Sequence, residues 1–213
     1  AQDMYDFVSK AFDLAFKYRT PAIILSDGVI GQMMEKVEMS EQKPRWTDEE
    51  IKKNSPWACT GKTNDRKQNI ITSLALDAAV HEKLNERLQA KYKKMEEEDV
   101  LFDSYMTEDA EHLLVAYGSM SRICQSVVET ARENGIKLGL LRPITLFPFA
   151  NKEIDRLVPQ LKSIMSVELS AGQMVEDVRL VVNGRIPVNF YGRLGGIVPS
   201  PEEVYEAFVK SIK

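Results

Sequence analysis

The sequence predicts a three-layer α/β/α domain over about its last hundred residues, and three observations carry that expectation. Two short apolar runs, Leu113-Leu114-Val115-Ala116-Tyr117-Gly118-Ser119-Met120 and Leu138-Gly139-Leu140-Leu141-Arg142-Pro143-Ile144-Thr145-Leu146-Phe147-Pro148, each end in small or polar residues. A helical spacing of apolar residues lies between them, and the same alternation recurs to the C-terminus. Strands buried on both faces read as continuous apolar runs. Parallel strands joined by helices wind into one sheet covered on both sides. The carboxyl ends of such strands usually carry the ligand-facing loops.

In chain order, residues 3–18 read as an amphipathic helix, with Met4, Phe7, Val8, Ala11, Phe12, Leu14, Ala15 and Tyr18 at three- and four-residue spacing. Asp3 can cap or complement its first turn. Thr20-Pro21 stops it, because a proline disfavours helix in the residue before it. Residues 22–26 (Ala-Ile-Ile-Leu-Ser) are expected as a short buried strand ended by Asp27-Gly28. One or two helical turns are expected within residues 31–38. From there to Glu111 the chain is dense in charge and poor in glycine. Pro44-Arg45-Trp46-Thr47 and Asn54-Ser55-Pro56-Trp57 read as irregular, turn-rich chain. Trp46 and Trp57 are apolar anchors there, read as pinning the segment to a neighbouring domain or subunit in preference to stacking on a ligand. Residues 69–95 form a long helical pattern with Leu74, Ala78, Leu84, Leu88, Tyr92 and Met95 on one stripe. It is expected to end near the acids 96–99, whose charge opposes the helix dipole.

From His112 the alternation is regular. Strands are expected at 113–117, 138–141, 163–167 and 187–191. Between them lie helices with inward Ile123, Val127, Val128 and Ala131, then Ile154, Leu157, Val158 and Leu161, then Met174, Val175, Val178, Val181 and Val182. Asn134-Gly135 is a C-terminal stop, and Asn151 is read as a cap. Ser200-Pro201-Glu202-Glu203 opens the last helix with a cap, a proline at the first position and first-turn acids.

At 213 residues the chain can bury a real core. A net charge of -4 argues against broad binding to nucleic acid or anionic membrane. No run is long and apolar enough to span a bilayer, and the start lacks the basic and apolar regions of a secretory signal. It also lacks an initiator Met, and a helix followed by a lone strand suggests a fragment with upstream sequence missing. Two cysteines, Cys59 and Cys124, cannot supply an ordinary four-thiolate iron–sulfur site. Cys124 reads as a small core residue, and the usage fits a reducing cytoplasm. His81 and His112 have no partners at metal-ligand spacing.

Few residues announce chemistry. Gly61-Lys62-Thr63 resembles the end of a phosphate-binding loop, but Pro56 stands where the motif needs glycine. Gly118-Ser119, where a strand feeds a helix, offers N–H groups and a hydroxyl to an anion, or is a plain turn with serine as cap. Arg142 at the next strand end could grip a carboxylate or phosphate, or pair with Glu168. Gly192, Gly195 and Gly196 follow the last strand and do not match a dinucleotide fingerprint.

The ordered set Thr20-Pro21-Ala22-Ile23-Ile24-Leu25-Ser26-Asp27, a charged insertion, Leu114-Val115-Ala116-Tyr117-Gly118-Ser119, Leu141-Arg142-Pro143-Ile144-Thr145-Leu146-Phe147-Pro148-Phe149, Tyr191-Gly192-Arg193-Leu194-Gly195-Gly196 and Pro199-Ser200-Pro201-Glu202-Glu203-Val204 resembles the alpha subunit of 2-oxoacid:ferredoxin oxidoreductases. The branched-chain (2-ketoisovalerate) type is nearest, and the 2-oxoglutarate type next. The resemblance implies the tail of a thiamine-diphosphate pyrimidine-binding domain at 1–38, a charged linker with a long helix at 39–111, and a transketolase-C-terminal-like domain at 112–213. It implies oxidative decarboxylation of a 2-oxoacid to an acyl-CoA with reduction of ferredoxin. The complete complex would use thiamine diphosphate with magnesium, coenzyme A and iron–sulfur clusters, none of them bound by this fragment alone. Its partners would be beta and smaller gamma or ferredoxin-like subunits and ferredoxin, in an oligomer. No catalytic residue carries over by motif. Ser26, Asp27, Gly118, Ser119, Arg142 and Thr145 are candidates from their places at strand ends, for ligand or interface. Two other expectations stand beside this one: a non-catalytic assembly module, and a subunit of a lipoamide-linked 2-oxoacid dehydrogenase.

Overall fold

A computed structural model describes residues 1–40, 46–59, 61, 64 and 66–213. The expectations at Pro44-Arg45 and Lys62-Thr63 fall outside the described residues.

Helix α1 (Gln2–Tyr18) ends where Arg19 turns left-handed at φ 47°. Asp3 lies in its first turn, as the dipole favours. Residues 22–26 form no strand, contrary to expectation, and Ile23 and Leu25 are 80% and 68% exposed. The physical reason is pairing: an apolar run becomes a strand only beside another strand that takes its N–H and C=O groups, and among the described residues none lies there. Helix α2 (Gly28–Gln32) is capped by Asp27, so the expected turns begin earlier than residue 31. Helix α3 (Asp48–Asn54) replaces part of the irregular chain expected there, nucleated by a capping box between Thr47 and Glu50. Trp46 and Trp57 do act as anchors, each with its ring centroid 6.3 Å from that of Phe16 on α1. The Arg19 guanidinium lies 4.6 Å over the Trp57 ring.

Helix α4 (Ala78–Glu98) starts at its Asp77 cap and not at residue 69. It ends at Glu98, among the acids where it was expected to end, although its last turn still carries Glu96, Glu97 and Glu98. Lys17 and Lys94, 3.1 Å and 3.8 Å from the Glu98 carboxylate, offset that charge. At its end Asp99 receives the Tyr18 hydroxyl and, at 2.6 Å, the Lys17 ammonium, which fastens α4 to the end of α1.

The sheet has five strands in the order β1-β3-β2-β4-β5. These are β1 (Phe102–Tyr105), β2 (His112–Val115), β3 (Leu138–Pro143), β4 (Ser163–Glu168) and β5 (Val188–Gly192). The last four are the expected parallel strands. The first was not expected: β1 pairs antiparallel with β3, Phe102 opposite Pro143, so the sheet takes its edge from chain before residue 112. Helices α5 (Gly118–Glu133), α6 (Asn151–Leu157), α7 (Met174–Val182) and α8 (Pro201–Ser211) complete the fold. Ala150, not Asn151, occupies the cap position of α6. Ser200 and Glu203 form the capping box of α8 with Pro201 inside it.

Side-chain alternation along the buried strands divides the core in two. Leu113, Val115, Leu141 and Ile164 pack with α6 and α7 on one face. Leu114, Leu138, Leu140, Met165 and Val167 pack with α5 and α8 on the other. This is the expected three-layer arrangement. His112 sits at the opposite sheet end, its Nδ1 2.8 Å from Ser163 Oγ and its ring edge-on to Phe208. Cys124 is fully buried in the α5 layer, and burial pushes its thiol well above the ordinary range, whereas Cys59 is exposed. Only the thiolate reacts readily. A disulfide reagent should therefore titrate the Cys59 thiol in native protein and both thiols after denaturation. Rapid native labelling of Cys124 would contradict this packing.

Candidate functional site

The connections define where a site can form. From β2 the chain passes through α5 to β3 on one side, and from β4 it passes through α7 to β5 on the other. The loops after β2 and β4 therefore part, and a doubly wound sheet leaves a crevice at that switch point. Residues 1–35 lie across it, and an open cleft of about 960 Å³ lies between them, the end of α4 and the strand ends. All six candidate residues, Ser26, Asp27, Gly118, Ser119, Arg142 and Thr145, line this cavity. Its walls are largely apolar, with Phe7, Leu14, Ile24 and Leu146 among them.

Asp27 and Ser119 meet directly. Ser119 Oγ donates to Asp27 Oδ2 at 2.7 Å, and the Ser119 N–H points to the same oxygen at 3.4 Å. The other oxygen, Oδ1, accepts the Ile30 N–H at 2.8 Å. Burial opposes ionisation of Asp27, yet these donors hold its carboxyl below the usual carboxylate range. Gly118, at φ 58°, begins α5 in backbone that a side chain would strain.

Arg142 does not pair with Glu168. Its guanidinium bonds Asp3 on α1 and, at 3.1 Å, Asp103 on β1. β1 is what places Asp103 opposite it in register. Thr145 Oγ1 accepts the Leu101 N–H at 3.0 Å and so pins the chain entering β1. Ser26 is exposed and donates only to the neighbouring Asp27 carbonyl, at 3.4 Å.

Glu168 is the residue that sequence reasoning undervalued. It is 1% exposed, at the end of β4, on the cavity wall. Its Oε1 accepts Ser166 Oγ and the Val175 N–H, each at 2.9 Å. Its Oε2 accepts Ser170 Oγ and the N–H groups of Gln173 and Met174 at 3.0–3.1 Å. Desolvation works against the charge, but the N–H groups of Gln173, Val175 and Met174 at the start of α7 and the Ser166 hydroxyl outweigh it and lower the Glu168 pKa. A sequence signal existed in the hydroxyls flanking the acid, Ser166-Val167-Glu168-Leu169-Ser170, just before a helix. Tyr117, half-buried across the cavity, has its phenol pushed up by burial and by the Glu168 charge.

Helix N-termini are the natural seats for oxyanions. Here both those at the switch point are filled from within: Asp27 on α5 and Glu168 on α7. An added phosphate would meet two carboxylates. The described residues of this cleft therefore do not fit a diphosphate, and they include no group of three or more His, Cys, Asp or Glu side chains that could hold its metal.

The fold and cleft define an α/β protein with a switch-point site shared between an N-terminal segment and a doubly wound domain. The thiamine-diphosphate-binding model of pyruvate flavodoxin/ferredoxin oxidoreductases matches residues 1–104, and core domain II of pyruvate:ferredoxin oxidoreductase matches residues 110–204. The chain belongs to the 2-oxoacid:ferredoxin oxidoreductase family, as its alpha-type subunit. It is 45% identical over 92% of its length to the ketoisovalerate oxidoreductase subunit VorB of Methanothermobacter marburgensis, of which it covers 53%. It is 28% identical over 95% of its length to the 2-oxoglutarate synthase subunit KorA of the same organism, covering 60% of that protein. The chain thus spans about half the length of the curated relatives it matches. A 2-oxoglutarate:ferredoxin oxidoreductase from Magnetococcus marinus, solved with 2-oxoglutarate, coenzyme A and succinyl-CoA, shares the fold at a TM-score of 0.55 and 16% identity, over 65% of this chain and 24% of that one. No helix among the described residues is long and apolar enough to cross a membrane.

Proposed function

We propose that this chain is part of the alpha subunit of a thiamine-diphosphate-dependent 2-ketoisovalerate:ferredoxin oxidoreductase. The reaction takes the 2-oxoacid and coenzyme A to the branched acyl-CoA and carbon dioxide, and two electrons pass to ferredoxin. The observation that carries the substrate choice is a contrast in identity. The two ketoisovalerate relatives stand at 45% and 42%, and the 2-oxoglutarate relatives at 27–31%. Residues 1–38 are the end of the pyrimidine-binding domain, 39–111 a charged insertion whose last part lends the edge strand β1, and 112–213 the transketolase-C-terminal-like domain. The diphosphate with its magnesium, and the iron–sulfur clusters, belong to beta and smaller subunits: the cleft's two helix N-termini already hold carboxylates, which repel a diphosphate, and two cysteines cannot supply a four-thiolate cluster. This chain supplies the apolar cavity wall and the frame that positions it. Ser26, Asp27, Gly118, Ser119, Arg142 and Thr145 shape that frame or its interface. Work in the cytoplasm follows from the ferredoxin partner.

The complete complex, rebuilt with its partner subunits and loaded cofactors, should reduce a viologen dye with 2-ketoisovalerate and coenzyme A. Its kcat/KM should exceed that with 2-oxoglutarate by about tenfold or more, the lower end of what an apolar pocket gains from even one methylene. A preference for 2-oxoglutarate or pyruvate would overturn the substrate, and inactivity of the loaded complex on every 2-oxoacid would overturn the reaction.

A further inference from the structure

The geometry points to Asp27 as a positioning residue that joins the N-terminal segment to the sheet's switch point and thereby sets the width of the cleft. Its two oxygens serve different bodies: Oδ1 caps α2 through the Ile30 N–H at 2.8 Å, and Oδ2 takes the Ser119 hydroxyl at 2.7 Å, 92 residues away in sequence. A second tie lies at the far end of α1, where Asp99, two residues before the Leu101 that Thr145 holds, takes Lys17 and Tyr18; at the switch point itself little is buried. Helix α1 buries only Tyr18, and α2 buries none of its residues. Further links to the strand ends among the described residues include the ion pairs of Arg142 with Asp3, 26% and 50% exposed, and of Arg122 with Glu35, 59% and 28% exposed. Exposed pairs of this kind contribute roughly 0–1 kcal/mol. The Asp27 link is less exposed and charge-assisted, and it stands where the cavity passes from one body to the other. A ligand in the cleft touches both walls, so the Asp27–Ser119 contact decides how far apart they stand.

The inference does not rest on the proposed reaction, and its test reads amide hydrogen exchange, not turnover. In the complete protein, Ser119→Ala should raise exchange across residues 28–33 about tenfold, although Ser119 belongs to the other body; that factor goes with losing a charged hydrogen bond. Asp27→Ala should raise exchange both there and across 118–122, and Asp27→Asn, which keeps an acceptor, should restore much of the protection. If Ser119→Ala leaves residues 28–33 unchanged, Asp27 is only a local helix cap and the inference is overturned. Should Asp27→Ala fail to fold, Ser119→Ala decides the matter alone, since it removes one oxygen and nothing else.

Discussion

Glu168→Ala should destabilise the α/β domain by roughly 3–5 kcal/mol, the range for removing one partner from a buried charged network. The side chain is 1% exposed and answers three backbone N–H groups and two hydroxyls. Alanine leaves all five without their acceptor at the point where β4 hands over to α7. Urea unfolding followed by far-ultraviolet circular dichroism gives the measurement, and a loss under about 1 kcal/mol would show that water replaces the carboxylate at little cost. The same residue predicts an acid limb. Because the folded carboxyl is held below its ordinary value, its contribution is fully present above about pH 4.3 and disappears as pH falls through the folded pKa. Glu168→Gln should flatten that limb while costing less at neutral pH.

Gly192→Ala should be nearly as damaging, by overpacking. A Cβ built there would stand 2.4 Å from the Ser170 carbonyl oxygen and 2.5 Å from Phe190 Cζ. The backbone oxygen cannot rotate away, so β5 or the β4–α7 turn must move, at about 2–3 kcal/mol. Ser170 is also a Glu168 donor, so the effects of Gly192→Ala and Glu168→Ala should fall short of additive. Gly31→Ala is the control: nothing lies within 4 Å of its Cβ position, and alanine favours helix. Equal losses at both glycines would refute the steric account.

The buried sheet could be read from the sequence because β2 and β3 carry short apolar runs and β4 carries Ile164, Met165 and Val167 between its serines, each followed by a helical spacing. β1 could not, since Phe102-Asp103-Ser104-Tyr105 mixes polar and apolar residues at an exposed edge, and it is a strand only because β3 offers one. The reverse error at residues 22–26 has the same root: an apolar run does not say whether a neighbour exists. The cleft residues were found by position, since strand carboxyl ends converge at the switch point whatever the side chains. Their pairings were not found. Asp27 meets Ser119 and Arg142 meets Asp3 across 92 and 139 residues, and no local pattern encodes contacts of that range. Glu168 was noticed only as a partner for Arg142. Its true partners are backbone N–H groups, which every residue but proline carries and no sequence displays.

The fastening of Asp99 to Lys17 and Tyr18 has a consequence for how this lineage can change. The chain leaves the cleft after Glu35, runs through α3 and α4, and returns to the end of α1. Its return foot, Asp99, is tied to the end of α1, and its outgoing foot, Glu35, to the Ala1 ammonium and Arg122. Closure entropy grows only slowly with loop length, so residues can be gained or lost along it while the cleft and sheet keep their places. The alignment with the 2-oxoglutarate synthase subunit runs 228 positions, longer than the 213 residues of this chain. A detour anchored at both feet is the part of the molecule best suited to absorb such differences.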